Sequence, residues 1–331
     1  MDPERAPRFS PVEAIRKRPG MYIGDPCEQG IEHLIYELVA NSIDLFLSRK
    51  ATKVSVTING TSISVSDDGP GLPFDHVEMN SVPKAVHWLT HLHDTPTADG
   101  HAPHVHLNAT GVGLVLVNAL SANLKVVSHR NGIRWEQHFA KGEIVGAPIT
   151  SVSSAKGTSI TFTADRDVLQ ASLPRMHVQR RRLFDVAHLF PGMKVQLGDE
   201  TFHAPGGLAD YVQFLASQNE DLCHASEPSR LLHVRHESDE LTVEAAAVGS
   251  SAKCQWLSWC NGTGTRLHGT HVDGFRDALR RKDWTPAVAM ISAIMKEPRF
   301  SAPMRAKVVN KELRGQVRQV VLEAMREAGI L

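Results

Sequence analysis

The chain has 331 residues, 42% hydrophobic and 22% charged, with 36 basic side chains balanced by 36 acidic ones. That length exceeds what one core normally organises, so two domains are expected. Zero net charge excludes a global basic field that would draw the molecule onto nucleic acid, and no apolar run is long enough to span a membrane. The four cysteines, Cys27, Cys223, Cys254 and Cys260, are sparse and form no CxxC, so reduced thiols in a cytoplasmic protein without a signal peptide are expected.

In chain order, residues 31–44 predict a helix. At 100° per residue, His33, Glu37, Asn41 and Asp44 share one narrow polar arc. Ile31, Leu34, Ile35, Leu38 and Val39 cover the opposite face, the pattern of a helix docked on a core. Two strands follow, Val54–Ile58 and Ile63–Asp67, joined through the hairpin signal Asn59-Gly60. Ile63, Val65 and Asp67 alternate onto the packed side. That aims a carboxylate into an apolar layer, where it needs a partner such as an adenine amino group. After Asp67-Asp68-Gly69-Pro70-Gly71, the run Asn108–Gly113 opens an apolar helix, Leu114–Leu120. Glycines at a helix start let backbone N–H groups approach phosphate. Strands over 124–128 and 133–139 flank Asn131-Gly132, and Lys156-Gly157-Thr158 leads into Ser159–Thr163. The first part therefore reads as helices on one face of a mainly antiparallel or mixed sheet. A Glu/Asn pair alone is usually a solvated stripe and DDGPG alone a turn; it is their order and spacing that indicate a nucleotide site.

The chain divides near 170–176. A cationic turn-in at Arg180-Arg181-Arg182 reads as a solvated face, with a local basic patch as the alternative. A strand/turn pattern around Met193–Phe202 precedes a helix at Gly207–Ser217, strands at Leu241–Val248 and Gln255–Cys260, a loop into a helix over Gly269–Arg281, and a strand at Val288–Met295. The closing helix, about Arg305 to Ala328, carries Val309, Leu313, Val317, Val320 and Val321. Six histidines crowd one stretch (His87, His91, His93, His101, His104, His106), and His87 and His91 would share a helix face. A His-rich nucleotide lid is the plainer reading than a transition-metal site. Asp165-Arg166-Asp167, just past a strand, reads as a turn.

Taken together, these motifs resemble the ATPase region of DNA gyrase B and its topoisomerase IV counterpart, members of the GHKL ATPases that also include MutL and sensor histidine kinases. The likeness starts at VEAIRKRPGMYIGD (Val12–Asp25), its most specific part. It continues through IYELVANSID, VSDDGPGLP, TGVGLVLVNALS, KGTSITF and GTHVDGF to EPRFSAPMRAKVVNKEL. It implies an α+β fold: a GHKL (Bergerat-type) ATP-binding α/β sandwich over 1–172, with a short N-terminal arm (Met1–Ser10), then a ribosomal-protein S5-like transducer domain over 173–331 ending in a long helix. Carried over by position, Glu37 matches the general base that activates water and His33 the residue that orients it. Asn41 matches the ligand of Mg²⁺ against ATP. Asp67 matches the adenine reader, with Gly69, Gly71 and Thr158 completing the base pocket and Arg130 at its mouth. Gly111 and Gly113 match the phosphate-contacting end of the lid. The resemblance also brings Leu72, Pro73, Asn108 and Val112 to the nucleotide.

Four departures bear on activity. The lid's usual lysine-bearing Gly-Gly segment is His91-Leu92-His93-Asp94-Thr95 here, and the usual paired glycines before its second motif are Leu107-Asn108. The family's Gln-Thr-Lys loop aligns with Pro303-Met304-Arg305, and the segment between Phe275 and Phe300 is short. Arg305 keeps the positive charge but not the point-charge geometry of lysine. The family's metal-binding TOPRIM region does not occur in these residues, and none of the three tyrosines, Tyr22, Tyr36 and Tyr211, suggests a DNA-cleaving nucleophile, so the chain is expected not to cut DNA by itself. The leading reading is a Mg²⁺-dependent ATP hydrolase that dimerises with ATP, in a divergent stand-alone form, with a second copy of itself, topoisomerase subunits or DNA as partners. The alternative is a catalytically weak nucleotide-binding paralogue that acts as a switch or regulator.

Overall fold

The computed structural model describes residues 9–77, 82–92, 113–218, 231–251, 253–302 and 305–329. They form two compact units: one from residues up to 92, 113–184 and 194–202, the other from 185–193 and 203–329.

The first unit opens with α1 (Pro11–Lys17), started by a capping box. The Ser10 hydroxyl accepts from the Glu13 N–H (3.2 Å), and the Glu13 carboxylate accepts from the Ser10 N–H (2.8 Å). A short α2 (Gly20–Ile23) leads into α3 (Glu28–Leu47), longer at both ends than its apolar period alone indicates. The β1 strand (Lys53–Asn59) turns through Gly60 at φ +57° into β2 (Ser62–Asp67). After α4 (Lys84–Thr90) and α5 (Gly113–Ala119) come β3 (Ser121–Arg130), β4 (Ile133–Ala140), β5 (Glu143–Val152) and β6 (Gly157–Ala164). Asn131 and Gly132 are both left-handed (φ 52° and 80°), the turn that matches strand twist between β3 and β4. Helix α6 (Met176–Leu189) then leads to β7 (Lys194–Leu197) and β8 (Glu200–Phe202).

These strands make one eight-stranded sheet in the order β5-β4-β3-β6-β2-β1-β7-β8. Every neighbouring pair is antiparallel except β1 with β7. Val54, Val56, Ile63, Val65, Ile160 and Phe162 are buried on one face, while Ser64, Ser159 and Thr161 on the other bond to one another. This polarity turns one face to the helices and explains the two-layer build. Sequence alone places everything from 173 onward in a second domain. Parallel pairing of β7 with β1 instead puts residues 194–202 in the first sheet. The cationic turn-in is helical: Arg180 pairs with Glu200, and the Arg182 guanidinium lies 3.6 Å from the centre of the Tyr36 ring.

The second unit contains α7 (Leu208–Ser217), β9 (Leu231–Glu237), β10 (Leu241–Val248), β11 (Gln255–Cys260), β12 (Thr263–Gly264), α8 (Thr270–Leu279), β13 (Val288–Met295) and α9 (Lys311–Glu327). Its sheet runs β12-β11-β13-β10-β9, with β11 and β13 parallel. Helices α8 and α9 cross closely, since a Cβ on Gly274 would lie 2.4 Å from the Arg314 carbonyl oxygen. Phe275, Leu313, Val317 and Val321 fill that contact. The closing helix starts at Lys311, not near Arg305. Val309 precedes it and is exposed, while the fully buried neighbour is Val308, in an extended segment.

Candidate nucleotide-binding site

The polar arc of α3 is a covered one. Glu37 is 1% exposed, and its Oε1 lies 3.2 Å from His33 Nε2, one turn earlier on the same helix. Asn41, one turn later, is half-buried. What covers Glu37 is the start of α5. A Cβ on Gly113 would sit 2.7 Å from Glu37 Oε2, so glycine lets this helix end approach the carboxylate. The other carboxylate buried on α3, Glu32, lies off the arc and is neutralised: Arg175 donates to it from its backbone N–H (3.1 Å), Nε (2.9 Å) and Nη2 (2.9 Å).

At the end of β2, Asp67 faces Thr158 of β6, and Thr158 faces Ser128 of β3, so three polar residues form one row across three strands. Burial pushes the Asp67 carboxyl up to about 6, and bonds from the Gly69 and Thr158 N–H groups and the Ser42 hydroxyl pull it back less. The Gly69 N–H donates to Asp67 Oδ1 at 2.8 Å. The fully buried Ser128 hydroxyl accepts from the Leu72 N–H at 2.7 Å and fixes the loop beside the row. Gly71, at φ +79°, runs so near β3 that a Cβ would lie 2.4 Å from the His129 carbonyl oxygen. Gly157, at φ +108°, would place one 2.0 Å from the Asp67 carbonyl. Asp68 points elsewhere, accepting from the Thr52 and Lys53 N–H groups at 2.7 and 2.9 Å.

The structure thus gathers Asp67, Gly69, Gly71, Leu72 and Thr158 around one row, and Glu37, His33 and Gly113 around another point of the same unit. Pro73 and Arg130 flank the loop: the Pro73 carbonyl accepts from the Ala85 N–H (3.2 Å), and Arg130 Nε donates to Asp75 Oδ1 (2.9 Å). Asn108, Gly111 and Val112 lie outside the described residues, as do Pro303, Met304 and the histidines of the crowded stretch beyond His91. Arg305 belongs to the second unit, its guanidinium 5.6 Å from the centre of the Phe300 ring. The His87 and His91 rings stack at 4.6 Å, but not on a shared helix face, since α4 ends at Thr90 and His91 is extended; no group of three or more metal-ligating side chains occurs among the described residues. Asp165 and Asp167 face cations rather than a shared ion site, pairing with Arg16 (2.6 Å) and Lys141 (2.6 Å). Ser42, Ser128 and Gly157 also touch this row and its loop, and sequence reading does not single them out as candidates. Ser128 meets the row only through β6, whose pairings with β2 and β3 are long-range and leave no local signal in the sequence.

A helix-covered mixed sheet followed by a second α/β unit is shared with solved structures. The 43K ATPase domain of Thermus thermophilus gyrase B, solved in complex with an aminocoumarin, matches with a TM-score of 0.80 at 27% identity, covering 96% of this chain and 91% of that one. The B-subunit of the DNA gyrase from Myxococcus xanthus (TM-score 0.77, 22% identity, 96% of each chain) and the ATPase region of Saccharomyces cerevisiae topoisomerase II (0.70, 17%, 99% and 100%) share the fold. The architecture is therefore the GHKL ATPase fold followed by a transducer-like domain.

Sequence comparison narrows the class. The family described as histidine kinase-, DNA gyrase B-, and HSP90-like ATPase matches residues 27–168, and the family described as DNA gyrase B matches residues 207–282. The DNA gyrase B protein of Staphylococcus epidermidis is 32% identical over 345 residues, 94% of this chain and 52% of that protein. Its counterpart from Staphylococcus aureus is 34% identical over 300 residues, 86% and 45% of the two. The chain belongs to the gyrase B-type ATPases, and it spans about half the length of these curated relatives.

Proposed function

We propose that this chain is an ATP-hydrolysing, dimerising module of the gyrase B type. The observation that carries the reading is Glu37: buried, 3.2 Å from His33 and covered by the α5 start at Gly113. A carboxylate held there is suited to take a proton from an attacking water, with His33 setting its orientation. Asp67, ionised above about pH 6, accepts a hydrogen bond from the adenine amino group. Gly69, Gly71, Leu72, Pro73 and Thr158 shape the slot for the flat base, with Arg130 at its mouth. Gly113 serves the phosphates together with Asn108, Gly111 and Val112. Asn41 presents a half-buried side-chain carbonyl on the same face as Glu37, a hard oxygen donor that fits Mg²⁺. When bound, Mg²⁺ supplies charge neutralisation on the triphosphate. Arg305 supplies the second unit's positive charge where the family has lysine. A second copy of the chain is the first partner, with topoisomerase subunits or DNA beyond it. A cytoplasmic setting is supported by the free thiols of Cys27, Cys254 and Cys260.

The test is phosphate release from ATP by the purified chain, with Mg²⁺ and after its chelation. Release that stops on chelation is the expected result. Tight nucleotide binding without release in the presence of Mg²⁺ contradicts hydrolysis and favours a nucleotide-gated switch.

A further inference from the structure

In the second unit a cluster of buried polar side chains joins β11, the turn after β12 and α8. Ser258 is 5% exposed, Thr265 1% and His271 0%. The Ser258 hydroxyl donates to the Thr265 carbonyl (3.0 Å) and lies 2.6 Å from the Thr265 hydroxyl and 2.8 Å from His268 Nδ1. The Thr265 hydroxyl is 3.3 Å from His271 Nε2. Two backbone bonds close the same turn, Thr265 N–H to Ser258 O and His268 N–H to Thr265 O, both 2.8 Å. Burial holds His271 down to about 3, and burial with the Arg276 charge lowers His268, so both rings are neutral near pH 7. His268 sits at φ +59°, a conformation that costs energy unless its surroundings fix it. The contact with Ser258 does so.

The outer side of this turn carries the segment that leaves Arg305. Leu267 N–H donates to Ala306 O (2.8 Å), Val308 N–H to His268 O (3.0 Å), and Thr270 N–H to Val308 O (3.2 Å). From the other side, Ser301 N–H donates to Lys307 O (3.0 Å) and Val309 N–H to Arg299 O (2.9 Å). Gly269 makes the approach possible, since a Cβ there would lie 2.2 Å from Val308 O. Residues 306–308 are thus gripped on both sides, and Arg305, itself at φ +53°, is the next residue outward.

We propose that Ser258 and His268 are positioning residues for Arg305: they fix the 265–269 turn, and the turn sets the register of the segment that presents the guanidinium. This deepens the function proposed above and rests on its reading of Arg305 as the positive charge that stands where the family has lysine. The bland alternative is a polar cluster that only stabilises the second unit, and it predicts no dependence on Arg305.

The experiment combines amide hydrogen exchange with a double-mutant cycle. In Ser258→Ala, exchange at the Leu267 and Val308 amides should rise about tenfold, while amides of β13 report that the unit remains folded. His268→Asn, which keeps a polar atom near the Nδ1 position and tolerates the left-handed backbone, should stay protected. Turnover should fall about fivefold in Ser258→Ala with ATP affinity within twofold, and that fall should vanish in an Arg305→Gln background. Unchanged exchange, or the same fractional loss of turnover with and without Arg305, overturns the proposal. If the wild type releases no phosphate, the hydrolysis reading fails. The exchange result then still decides whether Ser258 and His268 hold the segment.

Discussion

Asp67 keeps a carboxylate where the protein without nucleotide is less stable for having it charged. An unfolded aspartate loses its proton near 3.8 and the folded Asp67 near 6, so between those values the folded state binds the extra proton and stability falls as pH rises. Above that window the charge costs about 1–3 kcal/mol. Asp67→Asn keeps an acceptor for the Gly69 N–H, and urea unfolding near neutral pH should show it more stable by about that amount. The gain should shrink towards zero below about pH 4. The same substitution should weaken ATP binding at least about tenfold, because the amide replaces a charged acceptor for the adenine amino group. Unchanged affinity would remove Asp67 from the base pocket. Stability and binding moving in opposite directions is the pattern of a residue kept for function.

Helix α5 is fixed at its far end. Arg16 Nη1 donates to the Ala119 carbonyl (2.7 Å), and Asn118 Nδ2 donates to the Leu89 and Gly142 carbonyls (2.8 and 3.1 Å). A side chain added at Gly113 therefore cannot be relieved by sliding the helix, and must displace Glu37. Gly113→Ala should lower ATP turnover about ten- to a hundredfold with far less effect on ATP affinity, measured by steady-state phosphate release. Wild-type turnover in this variant would separate the helix end from the chemistry. At this scale sequence reading succeeds where the signal is local: the apolar period of α3, and turns such as Asn131-Gly132 with both residues left-handed. It also places His33 beside Glu37 on one helix face and Asp67 on the packed side of β2, because face and alternation are set within a few residues. It fails where the cause is distant. Helix α6 reads as a charge run because its partner Glu200 and the Tyr36 ring lie far off in sequence. The β7 strand falls on the wrong side of the division because its pairing with β1 reaches across 141 residues, as between Ser55 and Gln196. Val308 is passed over for Val309 because an extended segment held by His268 and Thr270 leaves no helical period to read.

At the scale of the whole molecule, the proposed role requires nucleotide to change the association of the chain. Sedimentation velocity with Mg²⁺ and a non-hydrolysable ATP analogue should show a monomer converting to a dimer. A monomer under saturating analogue would leave a nucleotide-binding chain without the proposed clamp. Among the described residues no helix is long and apolar enough to cross a membrane. The measurement that tests the central claim most directly is ATP turnover by the wild type and Glu37→Ala, with nucleotide affinity measured on the same preparations. The account predicts that turnover is lost in the variant while affinity stays within about threefold, because the base acts on water and not on binding. Equal turnover in the two proteins would contradict it and remove Glu37 as the base.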